Sequence, residues 1–278
     1  MESGALLGLG SAAAFGLCDF LAGVASRRLS FWWVTLASLA VSATGAWGLV
    51  ALGRRHPTET AVVWALAAGV GAATGASGLY RGYGRGQMAV AGPLSAVGTA
   101  AIPAVVGAAL GERLPPSGLA GIVLAMPAIW LMASAPASGS GMRTGVSDGL
   151  VSGAGFALEF IGLERADDQS GLWPVAVSQS TALLLVAAAV VALRTSWRGG
   201  DARSWSPAFA AGALSLLATS LYFLAAQTGL LTVAAVLAAL YPGVTVILAA
   251  LLLHEHPDRR QLSGLCTGAV AVTLIVIA

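Results

Sequence analysis

Along this chain, apolar residues gather in stretches of about 20, the length a helix needs to cross a bilayer's hydrocarbon core. Ten such stretches occupy residues 4–25, 31–52, 61–80, 88–110, 118–135, 146–163, 172–193, 207–227, 231–253 and 262–278. The breaks between them hold the charges and turn formers, as in "SRRLS", "GRRHPTE", "RGYGRGQ", "GERLPPS" and "HEHPDRRQ". Only "ASGSGM", in the middle, reads as a linker. The pattern predicts an all-α membrane protein with ten transmembrane helices. Small residues recur four apart at Gly71/Gly75, Gly78/Gly82/Gly86, Gly149/Gly153 and Gly264/Gly268. That spacing lets helix backbones approach closely in lipid, so a packed bundle is expected rather than separate anchors.

The pattern also repeats. With Glu112 placed on Glu255, a shift of 143, Val90 meets Val233, Leu94 meets Leu237, Leu110 meets Leu253 and Gly121 meets Gly264. Earlier in each half a shift of 141 places Gly8 on Gly149, Ser11 on Ser152, Phe15 on Phe156 and Trp32 on Trp173. Two five-span units follow, residues 1–138 and 139–278. Five is odd, so the second unit enters the membrane inverted relative to the first. Inverted repeats of this kind mark secondary transporters, with a substrate site near the midplane between them.

Composition narrows the function. Of 278 residues 57% are hydrophobic and only 9% charged, against about 25% in soluble domains. The net charge of +2 gives no reason to expect a nucleic-acid partner. All 14 basic residues are arginine. Without lysine there is no Walker A loop, so ATP is not expected to supply the energy within this chain. No cofactor is expected. Cys18 and Cys266 lie inside apolar runs, where no disulfide framework forms. The opening "MESGALLGLG" lacks the basic start of a signal peptide and reads as part of a retained span.

The segment "LAALYPGVTVILAALLLHEHPDRRQLSGLCTGAVAVTLIVIA" resembles the end of an EamA domain of the drug/metabolite transporter superfamily. It has a helix opening near Tyr-Pro, an apolar run, a glutamate, a polar turn and a helix with an early glycine. "SAVGTAAIPAVVGAALGERLPPSGLAGIVLAMPAIWLMA" is similar in the first half. There Gly98-Thr99 stands in place of Tyr241-Pro242, with Pro103 displaced four residues on. The resemblance implies a secondary active transporter, by expectation an exporter in the plasma membrane, moving a small metabolite or drug-like solute. Protons are the candidate coupling ion, and the family's substrates range over amino acids, sugars, other metabolites and drugs.

Asp19 and Glu159 are the principal candidates for solute binding or coupling. Each lies three or four residues beyond the paired phenylalanines of its repeat. A carboxylate in mid-span costs about 2.5–3.5 kcal/mol on insertion scales and usually faces a cavity or a partner. The alternative places each near a membrane face. Arg81, with Tyr80 and Tyr83 beside it, reads either as their counter-charge or as an interfacial arginine in an aromatic belt. Gln179 and Gln227 read as hydrogen-bonding glue between helices or as solute contacts. Tyr241 is favoured because Pro242 frees backbone carbonyls near it. Trp33 belongs to a belt or to the cavity. Glu112 and Glu255 read as helix-end residues with a structural or gating role, alongside Pro103, Pro242, Gly121 and Gly264.

His254 and His256 flank Glu255, but Glu112 has Gly111 and Arg113 as neighbours. Histidines two apart point to different helix faces, unlike a zincin's i, i+4 pair, so no metal site is expected. The competing readings are an intramembrane enzyme using His254, Glu255 and His256, and a non-transporting scaffold or sensor. The family places both termini in the cytoplasm. That choice leaves ten of 14 arginines on the opposite side, against the positive-inside preference.

Overall fold

Helices form over the apolar stretches. The computed structural model describes residues 2–53, 55–85, 88–113, 115–133, 142–196, 201–228, 231–252 and 259–276. The helices are α1 (Glu2–Ser26), α2 (Phe31–Leu52), α3 (Glu59–Gly84), α4 (Met88–Ala109) and α5 (Pro116–Ala133). They continue with α6 (Met142–Arg165), α7 (Trp173–Ala192), α8 (Ala202–Thr228), α9 (Leu231–Ala238), α10 (Tyr241–Leu252) and α11 (Arg259–Val276). Among the described residues, α1, α2, α3, α6, α7 and α8 are long and apolar enough to cross a membrane. Four shorter apolar segments lie at Leu94–Ala109, Pro116–Leu131, Leu231–Val244 and Leu262–Ala271. Large apolar side chains such as Leu6, Leu52, Val63, Leu184 and Val191 face outward, as a hydrocarbon solvent allows. This is an all-helical, multi-pass membrane protein.

Local chemistry sets several helix ends. The Thr58 hydroxyl accepts from the Ala61 amide and starts α3. The same hydroxyl donates to Asp167, which also accepts from the Ser170 amide and hydroxyl at 3.1 and 3.0 Å. These donors, Thr58 first, hold the Asp167 carboxyl below the usual carboxylate range. The ninth apolar stretch is split. Pro242 has no N–H to give the Ala238 carbonyl, so the ladder ends there and Leu240 bonds back to Leu237 at 3.2 Å. The chain turns through Ala239 and Leu240 and restarts at Tyr241. In the first half α4 passes through Pro103 without a break.

Packing runs mainly between the halves. α3 lies along α6 and α7, while α8 lies along α1 and α2; α4 packs on α6, as α9 and α10 pack on α1; α5 meets α11. The seams are made by glycine. A Cβ at Gly71 would stand 2.5 Å from the Glu159 amide nitrogen, and one at Gly155 would stand 2.8 Å from the Gly71 carbonyl. Gly69 of α3 meets the Ser178 carbonyl of α7, and Gly212 of α8 meets the Ser38 carbonyl of α2. Such close approach lets dispersion and weak polar contacts bind helices that gain no hydrophobic energy from leaving lipid.

Candidate functional site

Where α1, α3, α6, α7 and α8 converge, the packing leaves a small cavity. Asp19 from α1 and Glu159 from α6 line it, with Tyr80 from α3 and Gln179 from α7. Phe15 and Phe156, Ala72 and Ala76 supply apolar wall, and Ser215 and Thr219 of α8 add hydroxyls. Both carboxyl residues are buried, Asp19 at 5% and Glu159 at 2% exposure. Asp19 accepts one long hydrogen bond, 3.4 Å, from the Tyr83 hydroxyl. Among the described residues no hydrogen bond or ion pair reaches the Glu159 carboxyl. The Gln179 amide nitrogen donates to Thr219 Oγ1 at 3.4 Å, and its Oε1 is buried with no donor.

The two carboxyls lie at different depths. Gly71 abuts the Glu159 backbone, whereas the Tyr80 hydroxyl meets the Cys18 sulfur, 3.6 Å away and next to Asp19. Two and a half turns of α3 separate Gly71 from Tyr80, about 13.5 Å at 1.5 Å per residue. Side chains tilt toward the N-terminus of their own helix. Along α3, Tyr80 meets Cys18 and Gly84 meets Ser26, whereas Gly71 meets Glu159 and Gly78 meets Ser152, so α1 and α6 run in opposite directions and both carboxyls lean inward. The gap between the acids is then shorter than the backbone offset.

Arg81 takes a different partner from these. Its Nη2 lies 2.5 Å from Asp148 Oδ1 and its Nε donates to the same oxygen at 2.8 Å. Arg85 Nη1 approaches Asp148 Oδ2 at 3.3 Å. Asp148 is fully buried, so this pair of arginines satisfies it and leaves the cavity acids without them. Sequence reasoning passed over Asp148. The available signal was an acid in the first turns of the sixth span, beside the Gly149/Gly153 pair that marks a buried seam.

Residues 143–277, the stretch from α6 through α11, match the EamA-like transporter family. Those residues form an EamA-like domain, which supports a place in the drug/metabolite transporter superfamily. A solved structure described as "Crystal structure of protein" is 16% identical, with a TM-score of 0.80, covering 99% of this chain and 96% of that one. That likeness shows the fold alone. No curated protein matches the chain.

The remaining candidates sit at the ends or in the seams of the helices. Gln227 caps α6: its Nε2 donates to the carbonyls of Ala166 at 2.6 Å, Leu163 at 3.1 Å and Glu164 at 3.3 Å. Trp33 Nε1 donates to the Ser196 carbonyl at 3.3 Å, in an exposed position. Tyr241 opens α10, buried beside Ser95, and its carbonyl backs onto Gly16 of α1. Pro103, Pro242, Gly121 and Gly264 are all buried. Glu255, with His254 and His256, lies outside the described residues.

Glu112 reaches across the halves. Gly111 adopts φ +88°, a left-handed conformation that glycine enters without strain. Its amide bonds to Ala108 and that of Glu112 to Gly107, at 3.1 and 3.0 Å, which ends α4 in a Schellman turn. The Glu112 carboxyl then accepts from the Leu231 amide at 2.7 Å, the Thr232 amide at 3.2 Å and the Thr232 hydroxyl at 2.5 Å. It satisfies the first orphan amides of α9 and complements that helix's positive end.

Proposed function

We propose that this protein is a secondary transporter that exports a small solute across the plasma membrane by alternating access around the central cavity. One observation carries the reading. The cavity lies between spans of both halves and holds two buried carboxyls, Asp19 and Glu159, that no cation of the described residues neutralises. A protein keeps such groups in mid-span when something that enters the cavity completes them. Protons occupy the acids when the solute has left, which couples movement to a proton gradient without a phosphate loop.

The architecture in this proposal is ten spans in two inverted five-helix repeats, residues 1–138 and 139–278. The exchanged packing supports it: α3 on α6 and α7 has its counterpart in α8 on α1 and α2. Two clasps join the halves, Arg81 and Arg85 to Asp148 at the end of α3, and Glu112 to α9 at the end of α4. With α4 as a span, these clasps close opposite faces of the membrane. Opening one while the other holds is the motion alternating access requires. Arg28 follows α1 and Gln169 follows α6, and both are exposed. In a background lacking Cys18 and Cys266, Arg28→Cys and Gln169→Cys should react with an impermeant maleimide from opposite sides. Reaction of both from one side would remove the inverted repeat.

A further inference from the structure

We infer that the cavity takes a dibasic solute, a short aliphatic chain with a protonated primary amine at each end. This rests on the transporter reading and gives its substrate class. Beside the hydroxyls of Ser215 and Thr219, the cavity offers three acceptor groups, the carboxyls of Asp19 and Glu159 and the Oε1 of Gln179, and no cation. A matching solute must therefore bring N–H donors, which a quaternary ammonium lacks. An anionic solute such as a sugar phosphate would meet two carboxyls and no cationic lining side chain. A neutral solute would make no use of the charge that the two acids can carry.

The depths of the acids make the solute two-headed. The Glu159 backbone lies level with Gly71 and Asp19 lies near Tyr80, so each acid can receive an ammonium of its own. Between them the wall is apolar, with Ala72, Ala76 and the rings of Phe15 and Phe156. Methylenes suit that middle. A chain with charge at both ends and hydrocarbon between has the same order of polarity as the cavity.

Calorimetric titration of the purified full-length protein in nanodiscs tests this with 1,5-diaminopentane, pentylamine and 6-aminohexanoate. The diamine should bind at least about tenfold tighter than pentylamine, the gain expected of one more charge-assisted hydrogen bond. The zwitterion should bind more weakly than either. Asp19→Asn and Glu159→Gln, each monodisperse on gel filtration, should bring the diamine down to the monoamine's affinity. Equal affinity for diamine and monoamine, or diamine binding that survives both substitutions, would overturn the inference. No diamine binding, with a different cellular solute whose level depends on Asp19 and Glu159, would overturn it while leaving the transporter reading intact. No solute at all would end both.

Discussion

Cells producing Asp19→Asn or Glu159→Gln protein are expected to show the metabolite profile of cells lacking the gene, with normal amounts of variant in the membrane. The amides keep the shape of the acids and remove their charge. Folding should not suffer, because each carboxyl is a cost to the empty protein rather than a support: the Glu159 carboxyl has no partner among the described residues, and Asp19 has one long bond from Tyr83. Transport should suffer, because hydrogen bonds to a charged group are each worth about 1.5–3 kcal/mol, a factor of roughly ten to a hundred in binding. Untargeted metabolite profiling of matched cells reads the outcome whatever the solute is. A variant profile that coincides with wild type would show that neither acid belongs to the site, and would return attention to Tyr241.

Gly155→Ala is expected to leave little folded protein. The added Cβ would stand 2.6 Å from Thr74 Oγ1 and 2.8 Å from the Gly71 carbonyl, and it would also press on the Gly75 backbone. Backbone cannot step aside as a flexible side chain can. Overpacking a well-filled core costs about 1–3 kcal/mol, and here the strain falls on the seam that joins the halves. Gly48 supplies the control, since nothing lies within 4 Å of a Cβ there. Gly48→Ala should be neutral or stabilising, by up to about 1 kcal/mol, because alanine is the better helix former. Fluorescence-detected gel filtration of membrane extracts compares them. Equal monodisperse peaks would contradict the α3–α6 packing.

Helix positions were legible in the sequence because hydrocarbon imposes a length and a composition on anything that crosses it. The cavity acids were legible for the same reason: Asp19 and Glu159 stand out where charge is expensive. What depends on distant pairing was not. Arg81 could be assigned to any acid in the bundle, and only the crossing of α3 and α6 selects Asp148 at its side. Glu112 announced a helix end, but its carboxyl serves the start of α9, a helix 119 residues away in sequence. Tyr-Pro predicted a weakened helix at 241–242. The break falls just upstream, at Ala239 and Leu240, because the missing proline N–H is felt by the carbonyl one turn earlier. Gln227 reads as glue between helices or as a solute contact, and the three carbonyls at the α6 end that its amide meets select the first.

Access to the cavity from both faces tests the central claim most directly. Ser215 lines the cavity on α8, and in a background lacking Cys18 and Cys266 a Ser215→Cys protein carries one thiol there. Sealed right-side-out and inside-out vesicles would be exposed to a small impermeant thiol reagent, and labelling followed over time. Alternating access predicts labelling in both preparations, slowed from both sides when the bound solute occludes the site. Labelling from one face only, at every pH and in the presence of any candidate solute, would make the cavity a one-sided pocket and contradict the account.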